Sequence, residues 1–447
     1  MRELKAAVIG AGSTYTPELL EGFIERREYL NFTSIYLMDI DENKLGVIYG
    51  LAARMFKKAG VQCKLVQTLS LDEAVTGADY VFAQIRVGGL AARIRDEKIP
   101  KKYGLLGQET TGIGGFMNAL RTVPVMLDIA RKIEELAPNA WLINFSNPSG
   151  IVAEAILNNS GVKMFGLCNC PINMLADIAG AIGTKDFTYD YVGLNHLSWI
   201  TSVVAGGREY ADDLKAGRAS DAPGEGGGSF DASGFISPGE TGAGIWDAIS
   251  DEWGKALINA VPAIPSYYLN YYYMRDQQLK KCLEADRTRG EQCVDIEAEL
   301  LEQYKDPELN VKPAGLSKRG GALYSTAAIS AAEAIENDKN EFHVVNVKNC
   351  GALPYLNDDD VVEVKCLLNK EGAKPVKAAR AGDDFIIGLT QAVKAYEKLT
   401  VKAALSGSRE DALAALLVHP LIGDFAKAKG ALDEMIAANI DYLPAFR

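Results

Sequence analysis

Short apolar runs alternate with stretches of helical period through the first two hundred residues. Lys5–Ile9, Ser34–Met38, Lys64–Thr68, Tyr80–Ala83, Trp141–Asn144 and Met164–Leu167 are the apolar runs. Pro17–Arg27, Asn43–Ala59, Val123–Leu136 and Ile172–Ile182 carry the helical spacing between and after them. Strands alternating with helices predict a parallel α/β sheet, which collects ligands at the carboxyl ends of its strands. The uncommon residues of this half all fall at those ends. They are Gly10-Ala11-Gly12-Ser13, Asp39, Arg86-Val87-Gly88-Gly89, Ser146-Asn147-Pro148 and Cys168-Asn169-Cys170-Pro171.

The second half has a different texture. Ala216–Gly244 is rich in Gly, Ser, Pro and Asp and is expected to form a loop that covers a bound ligand. Ile258–Leu283 is expected to be one helix crowded with tyrosines. Val344–Val347 and Val361–Leu367 are expected strands, and the last sixty or so residues two or three amphipathic helices. The junction between the halves is placed near residue 195, with both halves contributing to one cleft.

A formal net charge of −12 argues against unspecific binding to nucleic acid or to an anionic membrane, both of which need a positive field. A small anion remains compatible if a few arginines make a local positive pocket. The opening MRELKAAVIGAGS supplies a strand and a glycine turn rather than the apolar core of a signal peptide, and no apolar run approaches the roughly 20 residues of a membrane span. Seven cysteines suit reduced thiols in the cytoplasm better than a disulfide framework. The only histidines are His196, His343 and His419, which excludes chemistry needing several of them at one centre.

Gly10-Ala11-Gly12-Ser13, with Thr14 behind it, follows a strand and opens a helix. Its glycines permit a tight turn and let peptide N–H groups approach a pyrophosphate at the positive end of the helix. Asp39, ending the next strand, can accept from both ribose hydroxyls and would repel a 2′-phosphate, so NAD is favoured over NADP. Tyr15 stands where the usual fingerprint has its third glycine. Taken together, this context favours a nucleotide site over a plain glycine turn.

The remaining candidates are ambiguous on residue type alone. Cys168 and His196 could hold a divalent ion with positions left for substrate oxygens, although on residue type alone a buried thiol and a satisfied core histidine are the better reading. A tyrosine in Tyr267-Tyr268-Leu269-Asn270-Tyr271-Tyr272-Tyr273 could serve as a base, or the group could be packing. Arg86, Arg93, Arg95, Arg287 and Arg289 could clamp a phosphate or form a solvated basic face.

Together these motifs resemble glycoside hydrolase family 4, the NAD- and metal-dependent glycosidases, in its 6-phospho-β-glucosidase branch. The resemblance rests on Gly10–Pro17 (GAGSTYTP), Gln84–Gly89 (QIRVGG) with Arg93 and Asp96–Pro100, Gly107–Gly112 (GQETTG), Asn144–Pro148 (NFSNP), Leu167–Pro171 (LCNCP) and Gly193–His196 (GLNH). Tyr268–Tyr272, Thr288-Arg289-Gly290 and Asn349-Cys350-Gly351-Ala352 continue it, so nearly the whole chain is covered. The family has tyrosine at the position of Tyr15.

The resemblance implies a Rossmann-like doubly wound parallel sheet in residues 1–195. An α+β domain in residues 196–447, like the C-terminal domain of lactate and malate dehydrogenases, would supply helices and oligomer contacts, giving a homodimer or homotetramer. It implies Cys168 and His196 as ligands of a divalent ion, usually Mn2+. Tyr268 is implied as the base, with Tyr271 and Tyr272 as second choices, and Gly10, Gly12, Ser13, Thr14, Asp39 and Arg86 as cofactor contacts. Arg93 and Arg289 are implied to grip the substrate 6-phosphate, and Glu109, Asn147 and Asn169 to contact substrate or metal. Asn169 marks the β branch, because relatives acting on α-glucosides carry Asp there. The implied chemistry departs from two-carboxylate glycoside hydrolysis. Oxidation at C3 acidifies the C2 proton, a base removes it, the C1–O bond breaks by elimination, and water addition and re-reduction follow with retained configuration. Alternatives are a hydroxy-acid dehydrogenase, disfavoured by the scarcity of histidine, a non-catalytic NAD sensor, and a sibling acting on 6-phospho-β-galactosides or unphosphorylated sugars.

Overall fold

The computed structural model of the chain describes residues 1–216, 254–319 and 324–447. Strands buried on both faces must be apolar throughout, which is why they stand out as runs rather than as alternation. Tyr80–Ala83 is buried at every position. The parallel strands are β1 (Leu4–Ile9), β2 (Phe32–Met38), β3 (Lys64–Thr68), β4 (Tyr80–Ala83), β5 (Trp141–Asn144) and β6 (Lys163–Gly166), in spatial order 3-2-1-4-5-6. The order reverses between β1 and β4, the switch point at which such sheets bind dinucleotides.

Helices α1 (Thr16–Glu25), α2 (Glu42–Ala59), α3 (Leu71–Val75), α4 (Gly89–Lys98), α5 (Gly112–Leu136), α6 (Ser149–Asn159) and α7 (Asn169–Ile182) follow the strands. α5 begins eleven residues before the expected Val123. Its first turn takes in Gly114 and Gly115 because a Cβ there would lie 2.2 Å from the Gln108 carbonyl oxygen and 2.4 Å from the Thr110 carbonyl carbon.

β7 (Thr188–Leu194) and β8 (Leu197–Ala205) form a hairpin that the sequence reading did not anticipate, joined by Asn195-His196. β9 (Arg208–Glu209) and β10 (Ile264–Pro265) flank β8. β11 (Glu341–Lys348), β12 (Val361–Asn369) and β13 (Gly372–Pro375) extend the large sheet antiparallel from β6. The described residues thus form a nine-stranded sheet that runs on beyond residue 195. Helices Asp384–Ser406, Arg409–Val418 and Phe425–Asn439 close the chain as expected.

The expected tyrosine-rich helix is a correction. Ile258–Leu283 divides into a helix ending at Ala260, β10, a 3-10 turn at Tyr267–Leu269, and helices Asn270–Tyr273 and Arg275–Glu284. Pro262 and Pro265 remove helical N–H donors and push the residues before them to extended backbone. Beyond Ala216, the expected covering loop lies outside the described residues. Among the described residues no helix is long and apolar enough to cross a membrane.

Candidate active site

The carboxyl ends of β1, β2 and β4 open into a cavity of about 710 Å3, lined by Gly10, Gly12, Ser13, Asp39, Arg86 and Asn147 among others. Gly10 has φ +87°, and a Cβ on it would lie 2.8 Å from the Gln84 carbonyl oxygen. Only glycine fits that approach of β1 to β4. The Gly12 N–H donates to Asp39 Oδ2 at 2.7 Å and the Asp41 N–H to Asp39 Oδ1 at 2.9 Å, so the carboxylate is fixed on the cavity wall. Thr14 does not line the cavity. It is buried beneath the turn, and its carbonyl oxygen accepts from the Tyr304 hydroxyl at 2.9 Å.

The loops after β4, β5 and β6 are stitched together. Ile85 N–H donates to Ser146 Oγ at 3.0 Å, Asn144 caps Ser146 through its side chain, and Leu167 N–H donates to the Asn144 carbonyl at 2.9 Å. Asn147 is half-buried before a cis peptide to Pro148, and its carbonyl oxygen accepts from Asn118 Nδ2 at 3.2 Å. Cys168 ends the β6 segment and caps α7, accepting the Cys170 N–H at 3.4 Å. The Cys168 sulfur therefore stands at the N-terminus of α7, the positive end of the helix dipole. Asn169 is the first residue of that helix, with Oδ1 4.0 Å from Cys168 Sγ.

His196 reaches the same point from the other sheet. It sits in the hairpin turn at φ +62°, and its Nε2 lies 3.3 Å from Cys168 Sγ. Both side chains are nearly inaccessible, at 2% and 4% exposure, which places them behind the open cavity rather than in its wall. Burial pushes the imidazole down to about 3, against the opposing pull of the Glu109 carboxylate, so it is neutral and able to donate a lone pair. Among the described residues no third His, Cys, Asp or Glu completes a cluster. A soft sulfur and an imidazole in near contact therefore fit a divalent ion whose other positions belong to oxygens from substrate or water.

β10 lies antiparallel on β8, and Ser266 N–H continues the pairing to the Ser198 carbonyl at 2.9 Å. This register places the Tyr268 ring on His196, with centroids 3.8 Å apart and planes 18° from parallel. Tyr271 is one ring away, at 6.3 Å from Tyr268. Tyr272 faces elsewhere: its hydroxyl is 3.5 Å from His419 Nε2, and burial raises its pKa well above the phenol range. Burial does the same to Tyr267 and Tyr273.

Arg93 is 3% exposed and donates from Nε to Glu97 Oε1 at 2.7 Å and pairs through Nη1 with Glu109 Oε2 at 2.7 Å. Arg86 pairs with the other oxygen of Glu109. Glu97 Oε2 accepts the Gly290 N–H at 2.7 Å, and a Cβ on Gly290 would lie 2.9 Å from Ile94 Cγ1. That contact seats Arg289 and the start of helix Arg289–Tyr304, capped by Thr288, against the Arg93 segment. Glu109 thus joins Arg86, expected at the cofactor, to Arg93, expected at the phosphate. Residues that the sequence reading missed also border this region. Lys44 pairs with Glu297 across the cavity rim, and Tyr442 reaches it from the C-terminal turn.

The sequence model described as family 4 glycosyl hydrolase matches residues 5–184, and that of the family's C-terminal domain matches residues 191–422. The chain belongs to glycosyl hydrolase family 4. It is 41% identical to a probable 6-phospho-β-glucosidase of Bacillus subtilis, over 99% of this chain and 98% of that protein. Two solved structures of the 6-phospho-β-glucosidase from Thermotoga maritima are also similar, each at 35% identity. One, with NAD and glucose 6-phosphate, has a TM-score of 0.87 over 99% of each chain. The other, with manganese, NAD+ and glucose 6-phosphate, has a TM-score of 0.86 over 98% of this chain and 99% of that one. Malate dehydrogenase from Plasmodium falciparum, at 13% identity, 90% and 98% coverage and TM-score 0.52, shares the fold alone. The expected Rossmann-like sheet with a dehydrogenase-like second part is what these likenesses show.

Proposed function

We propose that this chain hydrolyses 6-phospho-β-glucosides, such as phosphorylated cellobiose or aryl β-glucosides, to glucose 6-phosphate and the aglycone with retained configuration. NAD and a divalent cation, Mn2+ by preference, assist. Asp39 and the Gly10–Gly12 turn hold the cofactor, and Cys168 and His196 hold the cation. When bound, the two supply a hydride acceptor and a Lewis acid, which together acidify the proton on sugar C2. Tyr268 receives that proton. Arg93 and Arg289 hold the 6-phosphate and set the sugar against Tyr268, while Glu109, Asn147 and Asn169 orient its hydroxyls. One observation carries the reading: a tyrosine ring lies flat on a histidine whose Nε2 is 3.3 Å from a cysteine sulfur. A base is thereby placed beside a two-ligand cation site.

The test is a panel of p-nitrophenyl glycosides, phosphorylated and free, α and β, gluco and galacto, with NAD+ and Mn2+ added or withheld under reducing conditions. Release of p-nitrophenol from the 6-phospho-β-glucoside only when both are present is expected. Release that persists after chelation and removal of NAD+, or none from folded protein with both, refutes the proposal. The reading includes a cytoplasmic location, supported by seven cysteines that are all thiols. It also includes a homodimer or homotetramer, supported by exposed Phe342, Phe385 and Phe425, which sedimentation would test.

A further inference from the structure

Glu363 on β12 is fully buried, and among the described residues it forms no ion pair. A carboxylate taken out of water needs compensation, and hydrogen bonds alone supply it here. It accepts from Asn195 Nδ2 at 3.0 Å, from the Tyr191 hydroxyl at 3.1 Å and from Asn346 Nδ2 at 3.3 Å. Asn195 in turn accepts the Gly150 N–H through Oδ1 at 3.2 Å. Its side chain therefore spans from β12 to the start of α6, just past Asn147 and the cis Pro148.

The next residue along the chain from Asn195 is His196. A ligating histidine is ordinarily aimed by a hydrogen bond from its second ring nitrogen. His196 Nδ1 is buried and has no such partner among the described residues. What aims this ring is its backbone, held in the left-handed region that a non-glycine residue enters at a cost, together with the stack on Tyr268. Asn195 is the side chain that fixes that two-residue turn.

We propose that Glu363, acting through Asn195, is a positioning residue that holds the Asn195-His196 turn so that Nε2 faces Cys168. This rests on the reading of Cys168 and His196 as cation ligands. The device belongs to the second half of the chain, so the cation site depends on β12 although its sulfur comes from β6.

The experiment measures Mn2+ affinity by electron paramagnetic resonance of unbound Mn2+, and NAD+ affinity by calorimetry, on the full chain and on Glu363→Ala, Asn195→Ala and Glu363→Gln. Loss of outer-shell support costs roughly 10- to 100-fold in metal affinity, and that drop is expected in both alanine variants with NAD+ affinity held within about twofold. Glu363→Gln, whose amide oxygen still accepts from Asn195, is expected within about threefold of the parent. If Glu363→Ala does not fold, Asn195→Ala and Glu363→Gln decide the matter. Folded alanine variants that keep parental Mn2+ affinity overturn the positioning role alone, as does a glutamine variant as weak as the alanine one. A parent chain that binds no Mn2+ overturns the ligand assignment and this proposal with it.

Discussion

Adding a single methyl group to Gly12 tests whether the cofactor cleft is built as described. The Gly12 N–H and the Asp41 N–H hold the two oxygens of Asp39, at 2.7 and 2.9 Å. A Cβ on residue 12 would lie 2.8 Å from Asp39 Oδ2, 2.9 Å from its Cγ and 3.2 Å from Lys44 Cβ. A side-chain end can normally swing away from such a contact, but this one is pinned from both sides. Rotation breaks charge-assisted bonds worth about 1.5–3 kcal/mol each. If the carboxylate stays, overpacking costs about 1–3 kcal/mol instead. Either way Asp39 would no longer stand where the proposed contact with the ribose needs it. Loss of one such contact, about 1.5–3 kcal/mol, weakens NAD+ roughly ten- to hundredfold. Calorimetry of Gly12→Ala with NAD+ measures this, and Mn2+ affinity, read at Cys168 and His196, should not change. Gly46→Ala is the control, because nothing lies within 4 Å of its Cβ on the exposed face of α2. That variant should bind NAD+ normally and gain about 0.5–1 kcal/mol of stability. A folded Gly12→Ala chain with parental NAD+ affinity would refute the reasoning.

Tyr268→Phe removes the hydroxyl proposed as the base and is expected to lower kcat by about 10^2- to 10^4-fold while both NAD+ and Mn2+ still bind. Tyr272→Phe, whose hydroxyl faces His419, should stay within about threefold; steady-state kinetics reversing that order would reject Tyr268. Arg93→Lys loses the planar fork that meets Glu97 and Glu109, so KM for the phosphorylated substrate should rise roughly tenfold or more with kcat little changed. Burial holds Glu363 up at about 7 against an ordinary 4.5, so the folded chain binds more protons than the unfolded one between those values. Its contribution to stability is therefore present below about pH 4.5 and lost as pH rises through 7, by about 3 kcal/mol. Urea unfolding at pH 5 and 7.5 should show Glu363→Gln gaining on the parent at the higher pH, and a difference that does not change with pH contradicts the assignment.

The sites that were legible in the sequence are those at strand ends. A strand buried on both faces must be an apolar run, so the residues just past the end of the run are conspicuous, and Asp39, Arg86 and Cys168 are all such residues. His196 was legible only as part of a motif. Nothing in local periodicity announces that a hairpin, formed by β7 and β8, carries it at positive φ. The break in Ile258–Leu283 had a local signal in Pro262 and Pro265, which outweighs the spacing of the tyrosines. Glu363 had one too, as an acid set among valines on β12, but two of its three partners, Asn195 and Tyr191, are more than 160 residues away. Pairing at that separation is a property of the sheet order. The same holds for Lys44 with Glu297.

The net charge of −12 and the proposed dianionic substrate are reconciled by distance. At physiological ionic strength the screening length is about 8 Å, so acidic groups spread over the surface act weakly at the site. The side chains within reach decide the local field, and there Arg86 and Arg93 are offset by Glu97 and Glu109. Glu97 is committed to the Gly290 N–H and to Arg93 Nε, on the side of the guanidinium away from Glu109. Glu109 is the carboxylate shared between two arginines, and its charge is also felt by His196. On the proposed reading, a substrate phosphate that took over Arg93 Nη1 would replace one anion with another in a dry setting, so the arginine would not be left buried and uncompensated, which would cost several kcal/mol. The carboxylate would keep its pairing with Arg86, and near the proposed cation ligands a negative group would be favoured once a divalent ion is bound. On the proposed reading, substrate and cation make compatible demands on Glu109.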